Sequence, residues 1–271
     1  MIKIGDQIDQ YNYSICTLVT RMDEYIEMKS SFQNAGFNAE QCEYLFIDNT
    51  QDNTFDGYSG LNRFLIEAKG TYIIFCHQDI LLSFDNRAKL ETLIDEIEKK
   101  DSNWAVISNA GALGIKNIIY RVTEPGNEYA IRGTVPSRVQ TVDESFIVIK
   151  RSANLSVSRD LSGFHLYGTD LCLIASLLGY SSWVVDFNLI HKSKGNVNES
   201  FRKIKVDLIS KYNYFMRPRY IQTTNTNFLL SSNLLLHALD HLPLYRFFVR
   251  QYFKWKFRKV STNETRTIIG K

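Results

Sequence analysis

Polar groups able to act on a ligand gather at four places in this 271-residue chain, each beside a short apolar run. Asp48-Asn49-Thr50 follows the run Tyr44 to Ile47, and His77-Gln78-Asp79 ends the run Thr71 to Cys76. Asp143-Glu144 stands before Ser145 to Ile149, and His191 comes after the run that begins at Trp183. In an open parallel sheet, ligands bind in the crevice outside the carboxyl ends of the strands, so polar residues just after a buried strand are the first candidates for binding or catalysis. An acid placed there also serves as a turn former or a helix cap, and the residues alone leave both uses open for Asp48 and Asp79. A lone histidine after a strand is structural more often than not, so His191 is open in the same way.

The elements that must position these groups are legible as alternating periodicities. Tyr13 to Val19 is a short run of β-formers, and Met22, Tyr25, Ile26, Met28 and Phe32 then have the spacing of an amphipathic helix ended by Gly36. The turn-rich stretch after Ile47 leads into a helix, GLNRFLIEAKG, closed by Gly70, and Thr71 to Cys76 is apolar enough for a strand buried on both faces. Lys89 to Lys100 carries Leu90, Leu93, Ile94 and Ile97 on one helical face, and Trp104 to Ser108 forms a further strand. Asn109 to Thr134 is less periodic and reads as a long loop. A strand at Ser145 to Ile149, a helix around Thr169 to Leu178 and a strand from Trp183 to Leu189 complete the alternation. Such alternation implies an α/β fold, a mostly parallel sheet with helices on both faces. Past His191 the pattern turns helical, with segments at Asn198 to Met216 and Asn225 to Leu239. The expected organisation is a catalytic domain at 1–200 and a C-terminal helical extension at 201–271.

Composition bounds the function classes. With 44% hydrophobic and 23% charged residues the chain is an ordinary globular one, and 14 Gly and 4 Pro are too few for a low-complexity linker. A net charge of +3 supplies no global field toward nucleic acid. Cys16, Cys42, Cys76 and Cys172 lie far apart with no C-x-x-C spacing, which reads as a reduced cytoplasmic protein. The N-terminus lacks a signal-peptide core, and no window reaches the ~18 apolar residues needed to span a bilayer. Charge is uneven, however. From His241 onward Arg246, Arg250, Lys254, Lys256, Arg258, Lys259, Arg266 and Lys271 face one acid, Glu264. On a helix Phe248, Tyr252 and Trp255 share one side with Tyr245, a pattern suited to peripheral contact with an anionic membrane or to packing on the catalytic domain; no nucleic-acid recognition motif accompanies it.

The order and spacing of YSICTLVTRMDEYIEMKSSF, LFIDNTQDNT, GLNRFLIEAKGTYIIFCHQDILL, VDESFIVIKRS, FHLYGTDLCLIASLLGY and HKSKG, from about residue 13 to 195, resemble nucleotide-sugar glycosyltransferases of family 2. The resemblance implies the Rossmann-like GT-A fold and an enzyme using Mn²⁺ or Mg²⁺. It implies transfer of a sugar, hexosyl or N-acetylhexosaminyl, from a nucleoside diphosphate donor such as UDP to a hydroxyl of a glycan or lipid-linked acceptor, with inversion, in surface polysaccharide synthesis. The family's Asp-Asn-x-Ser-x-Asp loop maps Asp48 onto the acid that contacts uracil, with Asn49 and Asp52 also matching. Asn62 fits the helix beside the nucleotide, although Arg63 follows it where the family's Arg precedes. Thr20 and Gln78 fall on the donor side. The family's Asp-x-Asp signature reads His77-Gln78-Asp79 here, as in a subgroup of such enzymes. Asp79 keeps the metal-binding position, while His77 is expected on a ribose hydroxyl ahead of the metal shell. His191 matches a histidine that reaches the metal or the diphosphate, with Lys192 or Lys194 offsetting phosphate charge. Asp170 matches the general base, or else caps its helix. Asp143, His165 and Tyr167 are expected near the acceptor, the last two equally as packing residues. A non-catalytic nucleotide-sugar or glycan-binding module on the same fold is the alternative. A nucleotidyltransferase is disfavoured because no Gly-rich, Lys-containing phosphate loop is present.

Overall fold

The computed structural model describes residues 10–124, 126, 128–193 and 198–255. Lys194, expected to offset phosphate charge, and the tail cations from Lys256 onward lie outside the described residues. The chain divides into two compact units, Met1–Leu208 and Ile209–Lys271.

The first unit opens with β1 (Tyr11–Val19), α1 (Met22–Asn34), β2 (Cys42–Asp48), α2 (Gly57–Glu67), β3 (Gly70–Cys76), the short β4 (Ile80–Leu81), α3 (Arg87–Lys100) and β5 (Trp104–Ser108). It continues through β6 (Ala110–Leu113), β7 (Asn117–Glu124), β8 (Glu128–Arg132), β9 (Ser137–Val139), β10 (Thr141–Val142) and β11 (Phe146–Lys150). Next come α4 (Tyr167–Leu177), β12 (Ser181–Val184) and β13 (Ile190–His191), and α5 (Glu199–Met216) begins before the unit ends. Seven strands form the main sheet in the order β2-β1-β3-β11-β5-β12-β9. Strands β2, β1, β3, β5 and β12 run one way, while β11 and β9 are antiparallel to their neighbours.

Helices cover both faces because successive strand side chains point to opposite sides. Tyr13 and Ile15 of β1, Ile74 of β3 and Val148 of β11 join Tyr25, Met28 and Phe32 of α1 and Leu90, Ile94 and Ile97 of α3 in one buried cluster. Cys16, Ile73, Phe75, Ile147 and Ile149 join Tyr58, Leu61 and Phe64 of α2 and Leu171, Cys172 and Ala175 of α4 in the other. Each fully buried apolar side chain of this size contributes about 1.5–3 kcal/mol. Local signals set the ends. α2 starts with a capping box between Asp56 and Ser59, and α3 starts at Asn86, whose side chain accepts from the Lys89 amide. All four cysteines are buried free thiols.

Three stretches differ from the sequence expectation. Residues 109–134 contain β6, β7 and β8, joined antiparallel in a second sheet of order β10-β6-β7-β13-β4 with β8 on β7. The buried Arg121 organises this sheet by donating to the carbonyls of Tyr120, Arg132 and Gly133 and pairing with Asp186. The strand at Trp183 stops at Val184, and the chain pairs again only at Ile190–His191. Asn225 to Leu239 is no single helix: β14 (Arg219–Gln222) and β15 (Asn227–Leu230) form a hairpin, followed by α6 (Leu234–Asp240). Thr223 closes that hairpin with its side chain, and Asn233 caps the Leu235 and Leu236 amides, so turn-forming side chains break the apolar spacing into two pieces.

In the second unit, residues 243–255 form a last helix, α7. Asp240 is buried and held by Arg246 at 2.9 Å and by the Tyr220 hydroxyl at 2.8 Å. Leu234, Leu235, Leu244, Phe247, Phe248, Tyr252 and Trp255 are each more than half exposed. No helix among the described residues is long and apolar enough to cross a membrane.

Candidate functional site

Strand register gathers the candidate residues at one edge of the main sheet. β1 and β2 end together, Val19 opposite Asp48, and the Asn49 amide donates to the Val19 carbonyl at 2.7 Å. β3 ends beside them at Cys76, so Thr20, Asp48, Asn49 and His77-Gln78-Asp79 leave the same edge. From the other side of β3, Phe146 of β11 lies opposite Cys76, and the His77 amide donates to the Ser145 carbonyl at 3.0 Å. That pairing brings Asp143 and Glu144 toward His77. β13 pairs with β4, His191 opposite Ile80, while the Lys192 amide donates to the Asp79 carbonyl at 3.0 Å. Two residues of strand therefore carry His191 to Asp79 across more than a hundred residues of chain.

His77, Asp79 and His191 each offer one ligand atom, all within 4.8 Å of one another. His191 Nε2 lies 3.6 Å and His77 Nδ1 3.9 Å from Asp79 Oδ1. Ligand atoms about 2.1 Å from one ion stand about 3 to 4.2 Å apart, so this donor set fits a divalent cation with small adjustments. The electrostatics agree. Burial works against ionisation of Asp79, but hydrogen bonds from His191 and Ser193 and the two imidazoles hold its carboxyl well below the usual carboxylate range. Burial likewise disfavours charge on His191, yet the Asp79 carboxylate outweighs it and raises the imidazole above its ordinary value. His77 is lowered by desolvation and by the neighbouring His191. Lys192 is turned to Glu27, Nζ to Oε2 at 2.5 Å.

Several residues expected on the donor serve the protein instead. Gln78 Oε1 accepts from the amides of Thr20 and Arg21 at 2.8 and 3.0 Å, and its Nε2 donates to Thr20 Oγ1. Gln78 thus holds the two residues that lead into α1, a helix with no side-chain cap. Asn49 is buried and clamps the following loop, donating to the Phe55 carbonyl and accepting from the Phe55 amide. Asn62 exchanges both hydrogen bonds with the backbone of Val157 and pins the segment before α4 to α2. Asp48 is exposed, and the Thr50 hydroxyl and amide stabilise its charge and lower its pKa. Of the expected donor residues, Thr20 and Asp48 are exposed and His77 is partly so, while Gln78, Asn49 and Asn62 hold the backbone around them.

Asp170, expected as the general base, is fully buried. Its Oδ2 accepts from the Ser158 amide at 2.7 Å and its Oδ1 from the Ser158 hydroxyl at 2.8 Å. Both carboxylate oxygens are occupied by Ser158, so in this structure Asp170 ties residue 158 to α4. Asp143 is exposed, its Oδ1 accepting from the Ser145 amide at 2.9 Å, and its charge favours the protonated forms of both His77 and His191. His165 acts electrostatically on His77 from the loop before α4, its ring edge-on to Phe201 at 5.5 Å. Two residues carry more than the sequence assigned them. Tyr167 is buried with its hydroxyl 3.1 Å from His77 Nε2, and Glu144 accepts from the Gly168 amide at 3.3 Å. The adjacent acids Asp143-Glu144 were the signal for the second; the sequence carries none that separates Tyr167 from a packing residue.

Burial, aided by the charge of Asp143, pushes Glu144 up to about 8. The unfolded chain releases this proton near 4.5 and the folded one near 8, so the burden on stability is absent below the lower value and grows as pH rises through that window. Glu144→Gln, which keeps the acceptor for Gly168, is expected to melt like the parent at pH 5 and a few degrees higher at pH 8. Melting curves from pH 4.5 to 8.5 check this; parallel curves for both proteins would remove the assignment.

No protein-family profile matches the chain. Over 213 residues it is 34% identical to a protein of Fuscovulum blasticum called ATP synthase subunits region ORF 6, spanning 74% of this chain and 83% of that one. Among solved structures, glucosyl-3-phosphoglycerate synthase from Mycobacterium tuberculosis, in complex with Mn²⁺, UDP-glucose and glycerol 3-phosphate, is similar at a TM-score of 0.44, with 13% identity over 83% of this chain and 88% of that chain. The inositol-1-phosphate CTP transferase from T. maritima has a TM-score of 0.33, with 9% identity over 73% of this chain and 96% of that chain. Neither likeness supports a residue-by-residue comparison.

Proposed function

The chain belongs to the same family as the ATP synthase subunits region ORF 6 protein of Fuscovulum blasticum, and from its own site we propose that it is a metal-dependent nucleotide-sugar glycosyltransferase. The observation that carries this is the His77, Asp79 and His191 group at the carboxyl edge of the sheet, beside the open loop that bears Asp48. UDP is the donor nucleotide that fits the resemblance, its base toward Asp48 and Thr20 and its diphosphate toward the metal group. A divalent ion bound there would offset the charge that builds on the departing diphosphate. Asp143 takes the base role expected of Asp170. As an acceptor oxygen forms its bond to the anomeric carbon and the bond to the diphosphate oxygen breaks, Asp143 receives the hydroxyl proton. His165 is proposed for the acceptor side, the acceptor being a glycan or lipid-linked hydroxyl in surface polysaccharide synthesis and the transfer inverting. The catalytic part is residues 1–200 and the remainder an extension.

Calorimetric titration of UDP with and without Mn²⁺ tests this reading: binding that requires the ion supports it, and no binding under either condition overturns it. Burial of Asp170 favours a non-catalytic binder on the same fold, which metal-dependent hydrolysis of a UDP-sugar would exclude. The extension is proposed to rest on an anionic membrane surface, because α7 and its neighbours expose Leu244, Phe248, Tyr252 and Trp255 together with Arg250 and Lys254. The protein is expected to sediment with phosphatidylglycerol-containing vesicles and not with pure phosphatidylcholine, and to lose binding in Phe248→Ser/Trp255→Ser. Equal sedimentation with both lipids would refute the charge-dependent contact.

A further inference from the structure

Tyr167 begins α4 with its ring in the core, edge-on to Phe75 at 5.5 Å and to Tyr58 at 6.2 Å. Its hydroxyl meets two groups, His77 Nε2 at 3.1 Å and the backbone carbonyl of Glu144 at 3.4 Å. A carbonyl oxygen only accepts, so for both contacts to be hydrogen bonds the phenol must donate to Glu144 while its oxygen accepts from an Nε2–H. The ring proton of His77 then sits on Nε2 and the lone pair on Nδ1, the atom that faces Asp79 Oδ1. His191 presents Nε2 to the same carboxylate oxygen. The opposite tautomer would aim an Nδ1–H at Asp79 across 3.9 Å, too far for a hydrogen bond.

We propose that Tyr167 is a positioning residue that fixes His77 as a nitrogen ligand, so that the site holds its cation through two imidazoles and one carboxylate and prefers Mn²⁺ to Mg²⁺. This rests on the divalent-ion reading of the site and replaces the ribose contact expected of His77. Mg²⁺ asks for oxygen ligands and keeps its waters, whereas Mn²⁺, a transition ion, takes imidazole more readily than Mg²⁺ does, if less strongly than the later ions of its row. A partner on the far nitrogen of a ligating histidine sets its tautomer and orientation, and losing such a partner typically weakens metal binding 10- to 100-fold. Leu166, just before Tyr167, holds a left-handed backbone at φ 63°, an uncommon conformation for a branched residue, at the turn that delivers the phenol to His77.

The test uses the full chain with Mn²⁺, Mg²⁺ and UDP, read by electron spin-echo modulation of bound Mn²⁺ and by competition between the ions. The parent is expected to show two directly bound nitrogens. Tyr167→Phe, which keeps the buried ring, should weaken Mn²⁺ by about 10- to 100-fold and Mg²⁺ far less. His77→Asp, at a half-exposed position tolerant of change, should remove one nitrogen and narrow the Mn²⁺ preference about tenfold or more. One nitrogen in the parent, or an ion preference unchanged by His77→Asp, overturns this proposal while leaving the divalent site standing. No bound Mn²⁺ with or without UDP overturns both.

Discussion

Asp79→Ala is expected to abolish Mn²⁺-dependent binding of UDP and to lower any sugar transfer by on the order of 10³-fold, the scale of losing one charge-stabilising group in an active site. Asp79 is the only carboxylate of the three-donor group and the one held most firmly ionised. Without it, two imidazoles remain and nothing offsets the charge of the ion. The variant also loses the pairing with His191, a contribution to stability present above about 3.8 and lost as pH falls. A melting curve must therefore accompany the titration, to separate a folded protein without its ion from a damaged one. In the parent, Mn²⁺ must displace the proton that Asp79 helps His191 to keep, so affinity is expected to decline as pH falls, the decline beginning above the ordinary imidazole value of 6.5. Unchanged UDP affinity in a folded Asp79→Ala protein would remove the metal from the donor site.

Asp170→Asn is expected to act on stability, lowering the melting temperature by about 4–16 °C. A buried carboxylate accepting from a backbone amide and a hydroxyl makes charge-assisted bonds; in Asn the oxygen can keep the amide, but the charge is lost and the bond to the Ser158 hydroxyl must reverse. The cost is about 2–4 kcal/mol, and each kcal/mol moves a unit of 150–250 residues by about 2–4 °C. Asp143→Asn should behave oppositely. The residue is exposed, so melting is unchanged, while turnover falls about 10²- to 10⁴-fold, the range for losing a general base. The pair of variants separates two assignments that one activity assay would confuse. Were Asp170→Asn to melt like the parent and lose all turnover, Asp170 would return as the base.

Much of the architecture is written in local pattern. The apolar runs that became β1, β2, β3, β5 and β11 and the helical stripes of α1, α2 and α3 stand in the residues, because a strand buried on both faces and a helix buried on one each impose a period that a short window reveals. The second sheet was not legible. β6 and β8 are short, Ile118 of β7 and Ile131 of β8 are exposed, and Arg121 ties the strands through three carbonyls that no periodicity announces. The helix expected over 225–239 failed for the opposite reason: its apolar spacing was helical, but Thr223 and Asn233 bind nearby backbone and divide it.

The candidate site divides along the same line. Sequence by itself determined which polar residues stand at the ends of strands, and so brought His77, Asp79 and His191 into consideration together with Asp48 and Asp143. Only the tertiary structure decided which of them remain available. Gln78 is taken by Thr20, Asn62 by Val157 across 95 residues, and Asp170 by Ser158, while Tyr167, its ring in the core, meets His77 through its hydroxyl. Residue type sets how many hydrogen bonds a side chain can make, but the partner it meets is set by strand register and helix placement. A buried polar group must be satisfied by whatever those bring within about 3 Å, and the groups satisfied in this way are no longer open to a ligand.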